Sequence, residues 1–169
     1  MNTLNKQKKN DSQAVSKQFL TFRIGIENYG LELSQTREII EYGGITQVPL
    51  MPNFLRGIIN LRGEVVPVID LAVRLGRKPI EVQRRTCIIV VELTNNDQHH
   101  VLGLLADAVS EVIEMDDENI EDAPSFGANI RAEFIQGIAK QGEEFVVLLD
   151  ANNALSIREL AHLVEAELQ

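Results

Sequence analysis

The passage FLRGIINLRGEVVPVID, from Phe54 to Asp70, returns as FIQGIAKQGEEFVVLLD, from Phe134 to Asp150, eighty positions later. A second pair of passages, YGLELSQTREIIE from Tyr29 and LGLLADAVSEVIE from Leu102, stands seventy-three positions apart. The two blocks keep their order and share marker residues. Gly30 meets Gly103, Glu38 meets Glu111, Phe54 meets Phe134, Gly57 meets Gly137 and Asp70 meets Asp150. Such ordered self-similarity marks an internal duplication. The change of offset is absorbed by a longer, acidic connection around DDENIEDAP in the second copy.

Each copy alternates apolar with polar residues and is rich in β-branched and aromatic types, the pattern of strands. It reads strand, turn, strand, short loop, Phe-x-x-Gly-Ile strand, turn, strand. About five short antiparallel strands per copy curl into a small barrel, and closure removes the edges that invite aggregation. A copy of about 55 residues buries only roughly 60% of its extended surface, so it is marginal alone. The two copies are therefore expected to pack through a shared apolar face, and the seam between them is a natural groove. The approximate halves are 18–86 and 87–155, with exchange or sharing of strands between them allowed.

The opening hairpin is FLTFRIGI followed by YGLEL, with a turn at Glu27–Asn28. Its repeat is CIIVVEL and VLGLL around the polar turn TNNDQHH. Residues 1–17 are polar and form a mobile tail. After Asp70, LAVRLG makes one or two helical turns ended by Gly76. At the other end, Ser156 and Glu159 form a capping box, and Leu160, Val164 and Leu168 recur every fourth residue. A C-terminal amphipathic helix over 156–168 follows, packed on the barrels.

Composition removes several function classes. The formal net charge is −9, which disfavours phosphate backbones and anionic membranes. Basic residues gather only in short clusters such as Arg84–Arg85. A small-barrel nucleic-acid binder, the rival of a different class, needs a basic groove with stacking aromatics. Here the aromatics are six Phe, two Tyr and no Trp, mostly in core slots. Cys87 is the single cysteine, so no internal disulfide forms, and it sits in an apolar run where a buried thiol belongs. No signal peptide and no apolar run of the roughly 20 residues needed to span a bilayer is present. A soluble cytoplasmic protein is expected, with no nucleic-acid partner and no direct membrane insertion.

Phosphate-cradling and nucleophile-elbow motifs are missing. His99 and His100 are adjacent in the second hairpin turn, a poor spacing for metal ligands, and His162 has no evident partner. In EMDDENIED, Asp117, Asn119 and Glu121 alternate like calcium ligands, but Asp122 stands where the loop demands Gly, and Ala128 where it demands Glu. The expectation is no enzyme, no catalytic residues, no metal and no cofactor.

The duplication also acts as an internal control. Features in both copies, such as Gly57 with Gly137 and Asp70 with Asp150, read as structural: close backbone approach for the glycines, turns or caps for the aspartates. The link between the two central strands differs. It is Asn60-Leu61-Arg62-Gly63 in the first copy and Lys140-Gln141-Gly142-Glu143 in the second. The second copy makes its turn without an arginine. Arg62 is therefore either an ordinary solvated side chain or a recognition group offering a rigid fork of donors.

The run Gly57 to Gly63, with Val66-Pro67-Val68-Ile69-Asp70-Leu71, strongly resembles the CheW family of bacterial chemosensory coupling proteins. Further matches are Phe19, Tyr29-Gly30, Arg37 to Ile39, Gly103, Asp107, Val109-Ser110 and Val112, so the resemblance covers residues 18–160. It implies two five-stranded SH3-like barrels and a non-catalytic adaptor that links methyl-accepting chemoreceptors to the histidine kinase CheA in receptor arrays. It further implies that the kinase's regulatory domain shares the double-barrel fold, and that the receptor's hairpin tip enters the groove between barrels. By motif match, Glu38 and Arg62 face the receptor, and Gly57 and the neighbourhood of Thr36 support kinase binding. Thr36 departs from the family's usual β-branched apolar residue. Ile39, Leu102 and Val109 are the groove-lining candidates, from alternation and repeat position. A CheV-type or non-flagellar chemosensory role is the nearer alternative; a CheV-type chain would add a receiver domain.

Overall fold

The computed structural model describes residues 16–95, 97–122 and 132–155. The first copy supplies β1 (Ser16–Ile24), β2 (Glu27–Glu32), β3 (Thr36–Glu41), β4 (Leu55–Leu61), β5 (Glu64–Asp70) and the short helix α1 (Leu71–Arg74). The second supplies β6 (Cys87–Asn95), β7 (Gln98–Ala106), β8 (Ala108–Asp116), β9 (Ile120–Glu121), β10 (Ile135–Gln141), β11 (Glu144–Leu149) and α2 (Ala151–Ala154). Ser16 and Lys17, assigned above to the mobile tail, already belong to β1 and pair with Asp116 and Met115 of β8. The C-terminal helix expected over 156–168 lies outside the described residues.

The strands form two sheets, ordered β8-β1-β2-β11-β10-β9 and β3-β6-β7-β5-β4. Neither sheet corresponds to one copy. The first, barrel I, takes β1 and β2 from the first copy and the rest from the second. Barrel II takes β6 and β7 from the second copy and the rest from the first. The contiguous halves 18–86 and 87–155 are therefore units of sequence and not of space, because each copy donates its opening hairpin to the other's barrel.

The joints of the exchange are the two parallel pairings, β2 with β11 and β5 with β7. Each carries one of the duplicated glycines: Gly30 opposite Leu148, and Gly103 opposite Val68. A Cβ on Gly30 would stand 2.8 Å from the Leu148 Cδ2 atom, and one on Gly103 would stand 2.8 Å from Ile88 Cγ2. Close approach of packed side chains explains why glycine recurs there.

Each sheet closes through its own chain. After β8, residues Asp117–Asn119 make one 3-10 turn and lead into β9, which pairs with β10. After β3, the chain passes to Thr46, whose backbone N–H and C=O bond Ile58 of β4 at 2.8 and 2.9 Å. Gly57 and Gly137 lie beneath these two closing straps. A Cβ at Gly57 would meet the Thr46 carbonyl oxygen at 2.3 Å, and one at Gly137 would meet Ile120 Cγ2 at 2.3 Å.

The opening strands carry the shared core. Phe19 to Phe22 of β1 and Ile88 to Val91 of β6 are buried at consecutive positions, so both faces of each strand are covered. Phe19 joins Ile113, Ala139, Val146 and Leu148 in a cluster within barrel I. Leu20, Phe22 and Leu31 join Ile89, Val91 and Leu105 in the larger cluster that ties the barrels together. Thr21 is buried at a β1–β8 bulge. Its hydroxyl donates to the Glu111 carbonyl at 2.8 Å and accepts from the Glu111 N–H at 3.1 Å, so no polar group is stranded.

Two turns differ from the sequence reading. The first hairpin turns at Gly25–Ile26, because Ile24 pairs with Glu27, and Gly25 adopts φ +64°. Glu27 and Asn28 are already strand. In the second hairpin, His99 and His100 lie in β7 opposite Thr94 and Leu93, and Asp97 takes the left-handed turn position.

Candidate functional site

The β4–β5 hairpin turns over Arg62 and Gly63, which adopt φ +51° and +86°. Positive φ at both central residues matches the twist of a tight hairpin. Asn60 completes the turn by accepting the Gly63 N–H at 2.8 Å on its side-chain oxygen. Arg62 thus occupies the position that Gly142 (φ +63°) fills in the second copy. A left-handed conformation costs a residue with a Cβ roughly 1–2 kcal/mol. Arginine is therefore the residue that the turn itself would not choose.

The Arg62 guanidinium forms an ion pair with Glu38 of β3. One residue before Glu38, Arg37 pairs with Glu64 at 3.5 Å. Two pairs of opposite polarity thus clamp the hairpin tip to β3 on the outside of barrel II. Exposed pairs of this kind contribute at most about 1 kcal/mol each, so the clamp positions the side chains more than it stabilises the barrel. At the related place in barrel I, Gln141 donates to Glu111 at 2.6 Å. The ion pair belongs to one barrel, and its counterpart in the other is an amide-to-carboxylate hydrogen bond.

On β3, Ile39 is 45% exposed, one of several large apolar side chains on the surface. It lines a cleft of about 430 Å3 where β3 of barrel II faces β8 of barrel I. Val109 and Ala108 of β8, Cys87 at the start of β6, and Glu41, Arg84 and Arg85 complete most of its wall. Here the expected groove at the seam is realised. It brings Ile39 and Val109 together. Leu102 is not in it: it is 3% exposed, pairs with Val91 and belongs to the core. Alternation placed Leu102 on the wrong side because β7 is covered on both faces. Burial pushes the Cys87 thiol pKa up, partly offset by its hydrogen bond with the Val109 backbone. The folded state thus favours the neutral thiol. This contribution is full below the ordinary thiol pKa and is lost as pH rises through the raised one. Native protein is expected to react with a disulfide reagent near pH 8 orders of magnitude more slowly than unfolded protein, measured by thiol release.

Thr36 is half-buried at the start of β3, and its hydroxyl donates to the Glu32 carbonyl at 3.3 Å, which answers the packing question that its polarity raises. Gly57 is buried, with φ +152° and the Thr46 strap directly above it, so it shapes barrel II rather than presenting a surface. Asp70 is fully buried and caps α1. It accepts from the N–H groups of Ala72, Val73 and Ile80 at 3.1, 3.4 and 3.0 Å and pairs with Arg56 at 3.2 Å. Asp150 caps α2 through the Asn153 N–H at 3.1 Å. Both aspartates are caps, and only the first is enclosed in a charged network.

Sequence reasoning missed the placement of Arg84 and Arg85 at the cleft. Their adjacency was visible, but a place two or three residues before the buried strand β6 gives no sign of which barrel they overhang.

A profile of the CheW-like domain matches residues 18–159. The chemotaxis protein CheW of Klebsiella aerogenes is 34% identical over 149 residues, covering 88% of this chain and 87% of that one. The probable chemotaxis protein CheW of Rhizobium etli is 35% identical over 134 residues, covering 79% and 84%. Among solved structures, that of the scaffolding protein TtCheW from Thermoanaerobacter tengcongensis superposes with a TM-score of 0.71 at 36% identity, covering 79% of this chain and 84% of that one.

Proposed function

The chain belongs to the CheW family, and from that premise we propose that it is a non-catalytic adaptor coupling chemoreceptors to a histidine kinase in a chemosensory pathway. The observation that carries this reading is the seam cleft, with Ile39 exposed over Val109. An apolar groove between two rigid bodies suits the helical hairpin tip of a methyl-accepting receptor, laid in by its apolar face. Arg62 and Glu38, paired at the neighbouring position of β3, would form a second receptor contact beside the cleft. The outer wall of barrel II, shaped by Gly57 and Thr36, would meet the CheA regulatory domain. The site of action is the cytoplasm, at receptor arrays beneath the inner membrane.

Co-purification with a receptor signalling fragment and CheA, with kinase turnover measured in the presence and absence of the chain, tests the proposal. Kinase activity that ignores added protein, with no ternary complex recovered, would reject it. Arg62 offers a sharper probe. Arg62→Gly removes the guanidinium but gives the turn its preferred residue, so the Tm should stay within a few degrees of wild type. Receptor coupling should nevertheless fall, and more so for Arg62→Glu, which sets two carboxylates side by side. Unchanged coupling in both variants would remove Arg62 from the receptor surface.

A further inference from the structure

Among the described residues, most arginines are engaged. Arg37, Arg56, Arg62 and Arg77 form ion pairs, and Arg23 and Arg74 donate to carbonyl oxygens. Among the described residues, Arg84 and Arg85 are the exceptions. Both are exposed, neither has an acidic partner, and both line the seam cleft. Their position is built. The Gln83 N–H donates to the Thr86 hydroxyl at 2.7 Å, and the Thr86 N–H donates back to the Gln83 carbonyl at 3.2 Å. The two arginines are thus the central residues of a closed turn. Thr86, 4% exposed, anchors one end of the turn, and three residues before the other end Ile80, 5% exposed, has its N–H held by Asp70.

We propose that Arg84 and Arg85 set the partner specificity of the cleft, making it a site for an amphipathic helix whose apolar stripe is flanked by carboxylates. This rests on the reading that the cleft takes a partner helix. Charge complementarity carries the rest. The protein has a formal net charge of −9, and a general acidic surface repels an acidic helix. At the cleft the balance reverses, because two unpaired arginines face one carboxylate, Glu41. A carboxylate pair on the incoming helix finds planar donors already positioned beside the apolar floor of Ile39 and Val109. Charges at the rim of a docking surface act chiefly on encounter rate and on the rejection of wrong partners. A basic or neutral helix of equal hydrophobicity is therefore disfavoured.

The test measures binding of the full chain to a recombinant receptor signalling-hairpin fragment by stopped flow and titration, at about 50 mM and about 500 mM NaCl. The variants are Ile39→Asp and the double change Arg84→Glu with Arg85→Glu. The double variant should keep the wild-type Tm, bind at least about tenfold more weakly at low salt through a slower association rate, and converge on wild type at high salt. Ile39→Asp should weaken binding at both salt concentrations. If Ile39→Asp weakens binding while the double variant binds and responds to salt as wild type does, the arginine proposal is overturned and the cleft stands. If Ile39→Asp binds normally, the cleft is not the docking site, and both readings fall. A double variant that weakens binding equally at both salt concentrations overturns the electrostatic selection.

Discussion

Asp70→Ala is expected to cost about 3–5 kcal/mol of stability, the range seen when one partner of a buried ion pair is removed. The carboxylate is fully buried, and three backbone N–H groups and the Arg56 guanidinium converge on it. Alanine leaves all four without an acceptor from that side chain. Its counterpart is the control, because Asp150 caps α2 at a place where the second copy has Gln136 instead of an arginine. Asp150→Ala should cost about 1 kcal/mol, an ordinary cap loss. Chemical denaturation of the two variants measures the contrast. Equal losses at the two sites would show that the Arg56 network contributes nothing beyond the cap.

Gly57→Ala has a comparable expected effect from a different cause. The new Cβ falls 2.3 Å from the backbone oxygen of Thr46, which cannot swing aside as a side chain can, and φ +152° is itself unfavourable for alanine. Strain of about 1–3 kcal/mol adds to overpacking of similar size. Thermal unfolding should show a drop on the order of 10 °C for a domain of this length. Gly137→Ala meets a side-chain methyl of Ile120 first and needs no positive φ, so it should lose less. Equal tolerance of both substitutions would contradict the tight Thr46 strap. A Gly57 variant that loses kinase coupling while unfolding early reports an opened barrel, not a lost contact.

The duplication made the paired β-barrels and the groove at their seam legible in the sequence, although two five-stranded barrels were expected and one sheet has six strands, the extra one being the two-residue β9. It also separated caps from candidates: Asp70 and Asp150 are both caps, and Arg62 proved to be the position where the copies disagree over glycine. Strand exchange was only allowed for, because alternation records which face is buried and not which sheet a strand joins. Leu102 was misplaced for the same reason. A strand covered on both faces has no outward side to read. Turn positions slipped where two adjacent pairs of residues could serve equally, as at Gly25–Ile26 against Glu27–Asn28. Arg84 and Arg85 were plain as a pair, but their meeting with Ile39 and Val109 depends on how the barrels abut, and no local pattern encodes that.

The trading of opening hairpins has a consequence for how such a protein can be built at all. A peptide bearing one copy owns the beginning of one barrel and the end of another, so it completes neither by folding on itself. It closes only by reciprocal swapping with a twin. The present chain is that pair of twins written on a single ribbon, and severing the ribbon between Thr86 and Cys87 should yield two fragments that are each unfolded in isolation yet restore the whole when mixed.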